Sequence, residues 1–299
     1  MISTRNPVFQ ATLLIAFSAC CFGSLTTLTL LAMQAGLSLV NVIFWRFCLA
    51  AGVLFVLTWH SRSSRSLDRT AWRLMAIGGI GQAIISYLSF KSLDYLPVGA
   101  LAFLFYTYPA WVAIISAVRG REAFTRPRVI ALAMAMSGIA IMVGMPSAKA
   151  LSSVGIVMAL GTAFLYAIYL PLIHDAQEQL PALLSSFYIV SGIAATFLFV
   201  GLLTGELKLP VSPRIWVYLV LLAIIGTVLA FGGLMAGLRT LGPVRTSIIA
   251  TVEPFFTAIL GAVVLEQSLT IAVISGGLLI AAAVIILEQS SERGEDVAV

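Results

Sequence analysis

The chain has 299 residues, of which 61% are hydrophobic and 10% are charged, and its mean hydropathy is +1.07. Soluble domains carry about 25% charged residues, so this composition excludes an ordinary soluble protein and indicates an integral membrane protein. The net charge of +5 does not indicate nucleic-acid binding, because the basic residues lie in short stretches between apolar runs, as membrane topology requires.

Ten apolar runs follow one another along the chain, each close to the length of about 20 residues that a membrane-spanning helix needs. The predicted spans are 8–31, 40–59, 72–91, 97–118, 128–145, 152–173, 182–204, 215–238, 243–265 and 269–288. The connections are mostly short, no soluble domain is left over, and residues 289–299 form a predicted cytoplasmic tail. We therefore predict an all-α integral membrane protein with ten transmembrane helices.

The orientation of these spans follows from the distribution of Lys and Arg, which are more frequent in cytoplasmic segments. The segments on the side of the N-terminus hold Arg5, Arg62, Arg65, Arg69, Arg73, Arg119, Arg121, Arg126, Arg128, Arg239, Arg245 and Arg293. The opposite side holds Lys91, Lys149, Lys208 and Arg214. We expect both termini to be cytoplasmic, and no cleavable signal peptide is apparent at the N-terminus.

A repeat links the two halves of the chain. Residues in the first half recur 145 positions later, in the pairs Gly81 and Gly226, Leu93 and Leu238, Leu96 and Leu241, and Pro109 and Pro254. The predicted domains are 8–145 and 152–288, with five spans each. Because five is odd, the second half must enter the membrane from the opposite side, which predicts two inverted five-helix repeats, an architecture common in secondary transporters.

The stretch SIIATVEPFFTAILGAVVLE, residues 247–266, places a carboxylate and a proline together inside an apolar run. Pro254 removes one backbone hydrogen bond of a helix, and its counterpart Pro109 does the same in the first half. Interruptions at matching positions indicate a binding site near the middle of the membrane. Glu253 is unfavourable in hydrocarbon, by about 3 kcal/mol at a helix centre, so we expect it to face the interior of the bundle.

These features resemble the drug/metabolite transporter superfamily, specifically its EamA type. The sequence FGS at Phe22–Ser24 is similar to the family's aromatic-glycine pair in the first helix, and FWRF contains an arginine, Arg46, at the family's position in the second helix. VEPFFTAILGAVVLE is similar to the family's proline-centred helix, with Glu253, Pro254 and Glu266 at the matching positions. The resemblance is greatest to bacterial amino-acid exporters, which implies export of small metabolites across the bacterial inner membrane.

Several side chains in the spans are candidates for contact with substrate. Glu253 and Arg46 can meet an ammonium and a carboxylate group, although backbone bonding by Glu253 and snorkelling by Arg46 are alternatives. Aromatic rings can hold an apolar side chain or simply pack in the core, and a serine can bond substrate or a backbone carbonyl. These candidates are Tyr106, Trp111, Tyr166, Tyr87, Phe231 and Ser24. Pro109 and Pro254 are the predicted helix breaks or hinges.

We expect a secondary transporter that exports amino acids with broad specificity by alternating access, rather than an enzyme or a channel. The chain lacks a phosphate-binding G-x-x-x-x-G-K-[ST] motif, and Cys20, Cys21 and Cys48 are spaced as packing residues, so we expect no cofactor and no metal. Exporters of cationic drugs and exchangers of sugar phosphates or nucleotide sugars are the alternatives. Its expected partners are a small-molecule substrate and the bilayer, and we take a monomer as the working expectation.

Overall fold

The computed structural model describes residues 7–59, 69–92, 94–96, 98–121, 125–144, 152–177, 180–266 and 269–292, and these parts contain helices and no strand. The helices are α1 (Pro7–Gln34), α2 (Leu39–Leu57), α3 (Arg69–Ala76), α4 (Gln82–Ser92), α5 (Val98–Phe105), α6 (Tyr108–Val118), α7 (Arg126–Val143), α8 (Ser153–Gln177), α9 (Ala182–Thr204), α10 (Pro213–Ala223), α11 (Ala230–Ile249), α12 (Glu253–Leu265) and α13 (Ile271–Glu292). The all-helical membrane architecture agrees with the composition.

Eight stretches within the described residues are helical, long and apolar enough to cross a membrane. They are Pro7–Gln34, Leu39–Leu57, Ala100–Val118, Arg126–Val143, Ser153–Gln177, Ala182–Thr204, Pro213–Val264 and Ile271–Ser290. The stretch Pro213–Val264 has 52 residues and overlaps two of the predicted spans, 215–238 and 243–265. The predicted span 72–91 is divided between α3 and α4. The count of ten spans therefore stays a prediction.

Parts of the predicted topology lie outside the described residues. They are Arg5, Arg62, Arg65, Leu93, Lys149, Arg293 and residues 293–299 of the tail. The orientation of the chain in the membrane accordingly stays a prediction. Two ends of the bundle can still be distinguished: α1 ends and α2 begins at one of them, the α1–α2 end, and α8 ends and α9 begins at the other, the α8–α9 end.

Two segments of π-helix interrupt the α-helical backbone. Ile77–Gly81 joins α3 to α4, and Ile224–Leu229 joins α10 to α11. Such wider turns occur frequently at functional sites. Gly81 and Gly226, which form one of the repeated pairs in the sequence, both belong to these segments.

Further breaks occur where proline and glycine meet the helical pattern. α5 ends at Phe105 and α6 begins at Tyr108, directly before Pro109, and a 3₁₀ turn, Ala250–Val252, precedes the start of α12. Both prolines stand in the first turn of the helix they enter, where the missing N–H has no helical partner to lose. Within α11, Gly242 has φ 74° and ψ 171°, which divides this helix before Pro243.

Glycines allow several helices to approach closely, as is common in membrane bundles. A Cβ atom on Gly138 of α7 would lie 2.6 Å from the carbonyl oxygen of Gly276 in α13. A Cβ atom on Gly192 of α9 would lie 2.1 Å from the carbonyl oxygen of Met75, beside the first π segment. Backbone contacts of this kind leave no room for a side chain.

The helices of the two halves make matching contacts. α1 packs against α11 and α12, and α8 packs against α4 and α6. The first π segment packs against α9, and the second packs against α2. α2 also contacts α9, and α7 contacts α13. The two halves thus interlock, and their contacts surround a central space between α1, α2, α4, α8 and α11.

Candidate functional site

A cavity of about 650 Å³ occupies the centre of the bundle. Its volume lies within the range of about 300–1,000 Å³ that is usual for small-molecule sites. Its lining is Phe22, Leu25, Thr26, Thr29, Leu30, Met33, Leu39, Ile43, Arg46, Phe47, Gln82, Ser86, Phe105, Tyr108, Tyr166, Tyr169, Leu170, Ile173, Phe231, Leu234, Met235 and Glu253. A mostly apolar surface with a few polar groups is the usual composition of a ligand pocket.

The cavity reaches the surface along the second half of α1. Thr26, Leu30 and Met33 line it and are exposed. In contrast, Leu170 and Ile173, which line it towards the end of α8, are buried. The cavity is therefore more open towards the α1–α2 end than towards the α8–α9 end.

Glu253 is the acidic group of the cavity wall. It is the first residue of α12, where a carboxylate is favoured by the helix dipole, and its half-buried side chain lines the cavity. The Tyr106 hydroxyl lies within hydrogen-bonding reach of its carboxyl group. Among the described residues no cation forms an ion pair with Glu253, so its carboxyl group is available to a ligand.

Arg46 is the basic group of the wall. Its Nε donates a hydrogen bond to the Thr227 hydroxyl at 2.7 Å, and one terminal nitrogen donates to the Gly226 carbonyl at 3.3 Å. Its guanidinium also lies 4.5 Å from the centre of the Phe47 ring, a favourable cation–π distance. All these partners are neutral, and in the described parts of the chain no carboxylate pairs with Arg46.

The backbone at Glu253 and the backbone that Arg46 contacts both lie against the middle of α1. A Cβ atom on Gly23 would lie 3.0 Å from the Glu253 carbonyl oxygen, and one on Gly226, which Arg46 contacts, would lie 2.1 Å from Leu25. Gly23 and Leu25 are two residues apart on α1, which corresponds to about 3 Å along a helix axis. The backbone at Glu253 and the anchor of Arg46 therefore lie against one turn of α1, and both side chains line the cavity.

A continuous series of rings connects the break before α6 with α8. The ring centres of Tyr108 and Tyr166 are 4.8 Å apart, and those of Tyr166 and Tyr169 are 5.8 Å apart. Phe105 contacts Tyr166 at 5.6 Å. Aromatic pairs at these distances stabilise one another, so the rings form a firm apolar surface, and Tyr108 is fixed further by a 3.5 Å hydrogen bond from its hydroxyl to the Ser247 carbonyl.

The structure brings together four of the residues predicted from the sequence, since Arg46, Tyr166, Phe231 and Glu253 all line the cavity. Tyr106 stands behind Glu253 and is 8% exposed. The other three predicted contacts lie elsewhere. Ser24 is buried and bonds the Cys21 carbonyl, Tyr87 is 65% exposed, and Trp111 packs against Phe164. Pro109 and Pro254 each follow the first residue of a helix and are absent from the cavity wall.

Tyr108, Tyr169 and Gln82 are among the cavity residues that the sequence analysis did not identify. Tyr108 stands at the repeat position that Glu253 occupies in the second half, and this correspondence is the signal that could have identified it. Tyr169 follows Tyr166 by three residues on the same face of α8. Gln82 begins α4 directly after the first π segment, and its position depends on that wider turn, which carried no recognised signal.

The described residues contain no group of three or more His, Cys, Asp or Glu side chains that could hold a metal ion. The arrangement instead provides opposite charges, hydroxyl groups and rings around a space the size of a small molecule. Such a surface binds and orients a small molecule.

The sequence profile of the EamA-like transporter family matches this chain twice, over residues 10–144 and 153–288. The chain belongs to the EamA-like transporter family. It is therefore a membrane transporter of the drug/metabolite superfamily, and this assignment agrees with a bundle of apolar helices around a central cavity.

Two further comparisons agree with this family. An uncharacterized transporter of Archaeoglobus fulgidus is 25% identical over 264 residues, which cover 87% of the EamA-like chain and 90% of the relative. A crystal structure of a protein with 16% sequence identity superposes with a TM-score of 0.77, covering 95% of this chain and 98% of the other. At this identity the second likeness concerns the fold alone.

Proposed function

We propose that this EamA-like transporter exports amino acids with broad specificity by alternating access. One observation carries the proposal: Arg46 and Glu253 line the same cavity, and neither is paired with an opposite charge among the described residues. A buried charge is unfavourable unless it gains a partner. A zwitterion supplies both missing partners at once, because its carboxylate matches Arg46 and its ammonium group matches Glu253.

The rest of the cavity supports broad specificity for the side chain of the substrate. The rest of the wall consists of aliphatic side chains, rings and a few hydroxyl and amide groups, which contact an apolar or weakly polar side chain without requiring one shape. A hydrophobic pocket distinguishes ligands by only about 1–3 kcal/mol per methylene group. A phosphorylated substrate fits this wall less well, because Arg46 is the one basic residue among the described residues of the wall and phosphates are usually held by several.

We further propose that the two family segments are inverted five-helix repeats that span the bacterial inner membrane ten times, with both termini in the cytoplasm. The double match of the family profile supports two repeats, as do the matching contacts and the breaks before α6 and α12. A cysteine introduced at position 121, at the α8–α9 end, is then expected to react with an impermeant thiol reagent from the cytoplasm. A cysteine introduced at position 208 is expected to react from outside. Reaction of both from one side would contradict this topology.

The functional test is counterflow in vesicles that contain the purified protein. Labelled threonine, methionine and an aromatic amino acid are offered separately, with protein-free vesicles as the control. All three are expected to accumulate above the control, and unlabelled amino acids are expected to compete. If none exchanges while a sugar phosphate or a cationic dye does, the proposal is wrong and one of the alternative substrate classes replaces it.

A further inference from the structure

A second group of polar side chains lies beyond the closed side of the cavity. Gln177, Ser185 and Thr246 are at most 1% exposed. The amide nitrogen and oxygen of Gln177 and the hydroxyls of Ser185 and Thr246 have no hydrogen-bond partner among the described residues. Nearly all buried polar groups in native proteins are paired, so three unpaired side chains at one end of the bundle need an explanation.

Gln177 continues the α8 face that lines the cavity. Tyr166, Tyr169 and Ile173 of this helix belong to the cavity wall. Residues four positions apart lie on the same face of a helix, one turn from each other. Gln177 follows Ile173 by four residues and is therefore the next side chain of this face, one turn closer to the α8–α9 end.

Thr246 and Ser185 approach the same region from α11 and α9. Thr246 directly precedes Ser247, whose carbonyl accepts the hydrogen bond from the cavity residue Tyr108. Ser185 lies in the first turn of α9, and α9 begins a few residues after the end of α8. α11 packs against both α8 and α9, so the helix that carries Thr246 is adjacent to the helices that carry Gln177 and Ser185.

Polar contacts close this end of the bundle. Arg239 of α11 donates a hydrogen bond of 3.3 Å to the Leu180 carbonyl, between α8 and α9. Arg121 forms an ion pair with Asp175, which connects the segment after α6 with α8. These contacts involve exposed or partly buried groups, and exposed ion pairs contribute little stability. They can therefore open without loss of the fold.

We propose that the inner half of the transport path runs between α8, α9 and α11, and that Gln177, Ser185 and Thr246 line it when the cavity opens towards the α8–α9 end. This inference rests on the proposed alternating access. In that second state the three side chains gain water or a passing polar substrate as partners. Their lack of partners in the present state then reflects the closed half of the path.

A matched pair of neighbouring serines tests this path. Ser185 and Ser186 are both 0% exposed, but the Ser186 hydroxyl bonds the Ala182 carbonyl at 2.9 Å, whereas that of Ser185 is unpaired. Ser185→Cys and Ser186→Cys are made separately in a protein whose three native cysteines are replaced by alanine. Thr246→Cys is a second reporter on another helix, in case Ser185→Cys does not fold.

The measurement is the rate at which each cysteine reacts with a membrane-impermeant maleimide. Inverted vesicles are used, because they expose the cytoplasmic face of the protein to the reagent. We expect Ser185→Cys and Thr246→Cys to react at least about tenfold faster than Ser186→Cys, because only the path residues become accessible in the second state. Equal rates for the three variants, or no reaction at either reporter position, would overturn the inference and leave the polar groups as a static part of the core.

Counterflow in the same preparation separates this inference from the proposed function. If amino acids exchange but the reporters react no faster than Ser186→Cys, the path is wrong and the function stands. If amino acids do not exchange but the reporters react faster than Ser186→Cys, the inferred path is supported and the protein transports a different class of substrate. Labelling is measured without substrate as well, so its result does not depend on the choice of amino acid.

Discussion

The breaks before α6 and α12 have the same backbone arrangement and different chemistry. Tyr108 begins α6 and Glu253 begins α12, and each is followed by a proline. Tyr108 is 3% exposed and its hydroxyl is bonded to the Ser247 carbonyl, whereas half-buried Glu253 has Tyr106 near its carboxyl group and no cationic partner among the described residues. One break thus supplies a fixed aromatic surface, and the other supplies a carboxyl group that is available to a ligand.

The two π segments differ in a similar way. Ile77–Gly81 packs against the backbone of α9, where glycines permit close contact. Ile224–Leu229 instead presents the Thr227 hydroxyl and the Gly226 carbonyl to Arg46. Matching backbone irregularities therefore serve close packing in one half and hold a charged side chain in the other. Under the proposed function, we therefore expect substrate charge to be recognised mainly at the irregular segments of the second half.

The largest effect is expected for Glu253→Gln. This change keeps the shape of the side chain and removes its charge, and hydrogen bonds to charged groups contribute about 1.5–3 kcal/mol, so amino-acid counterflow should fall by about tenfold to a hundredfold. Tyr108→Phe, at the matching break, is the control and should lose less than about fivefold, because it removes only a neutral hydrogen bond. Equal losses in the two variants would contradict the assignment of different roles to the two breaks.

A smaller effect is expected for Arg46→Lys. Lysine keeps the charge but lacks the fork of donors that reaches Thr227 and Gly226 together, so the charge is no longer held against the second π segment. We expect counterflow to fall by about tenfold, equivalent to about 1.4 kcal/mol. The fall should come from a lower apparent affinity for the substrate. Thr227→Val removes one of the two anchors, so its counterflow rate should lie between those of the wild type and Arg46→Lys. A larger loss in Thr227→Val than in Arg46→Lys would refute the anchoring role.

The smallest effect on transport is expected for Gly226→Ala. The new methyl group would meet Leu25, a flexible side chain that can move aside, whereas in Gly192→Ala it would meet the Met75 backbone, which cannot. Overpacking of this kind typically destabilises by about 1–3 kcal/mol, so Gly192→Ala should lower the midpoint of thermal unfolding in detergent and Gly226→Ala should change it little. The reverse order would mean that the close contacts of the two π segments are wrongly assigned.

The sequence predicted the class of fold because composition and span length determine it directly. It also identified Glu253, because a carboxylate beside a proline inside an apolar run has few compatible environments. Arg46 was recognised as a candidate, but its partners Thr227 and Gly226 lie in the other half of the chain, and no local pattern indicates contacts over such a separation. The π segments escaped notice because their residues do not differ in type from those of ordinary membrane helices.

Tyr87 illustrates why the face that a membrane helix turns towards a cavity is difficult to predict from sequence. Tyr87 is exposed, whereas its neighbour Ser86 lines the cavity. In a soluble helix the apolar face identifies the interior, but lipid-facing side chains are as apolar as those inside the bundle. Two adjacent residues of a membrane helix can therefore face the cavity and the outer surface of the bundle, and the hydrophobic pattern does not show which residue faces which.

The central claim is that Arg46 and Glu253 together recognise a zwitterion. It is tested most directly by counterflow of methionine against two analogues, its amide, which lacks the carboxylate, and N-acetylmethionine, which lacks the ammonium group. For the wild-type protein we predict that methionine exchanges at least about tenfold faster than either analogue, since each lost charge pair is worth about 1.4 kcal/mol or more. Glu253→Gln should lose the preference over N-acetylmethionine and keep the preference over the amide, and Arg46→Gln should do the opposite. Equal exchange of all three compounds by the wild-type protein, or the same pattern in both variants, would contradict the account.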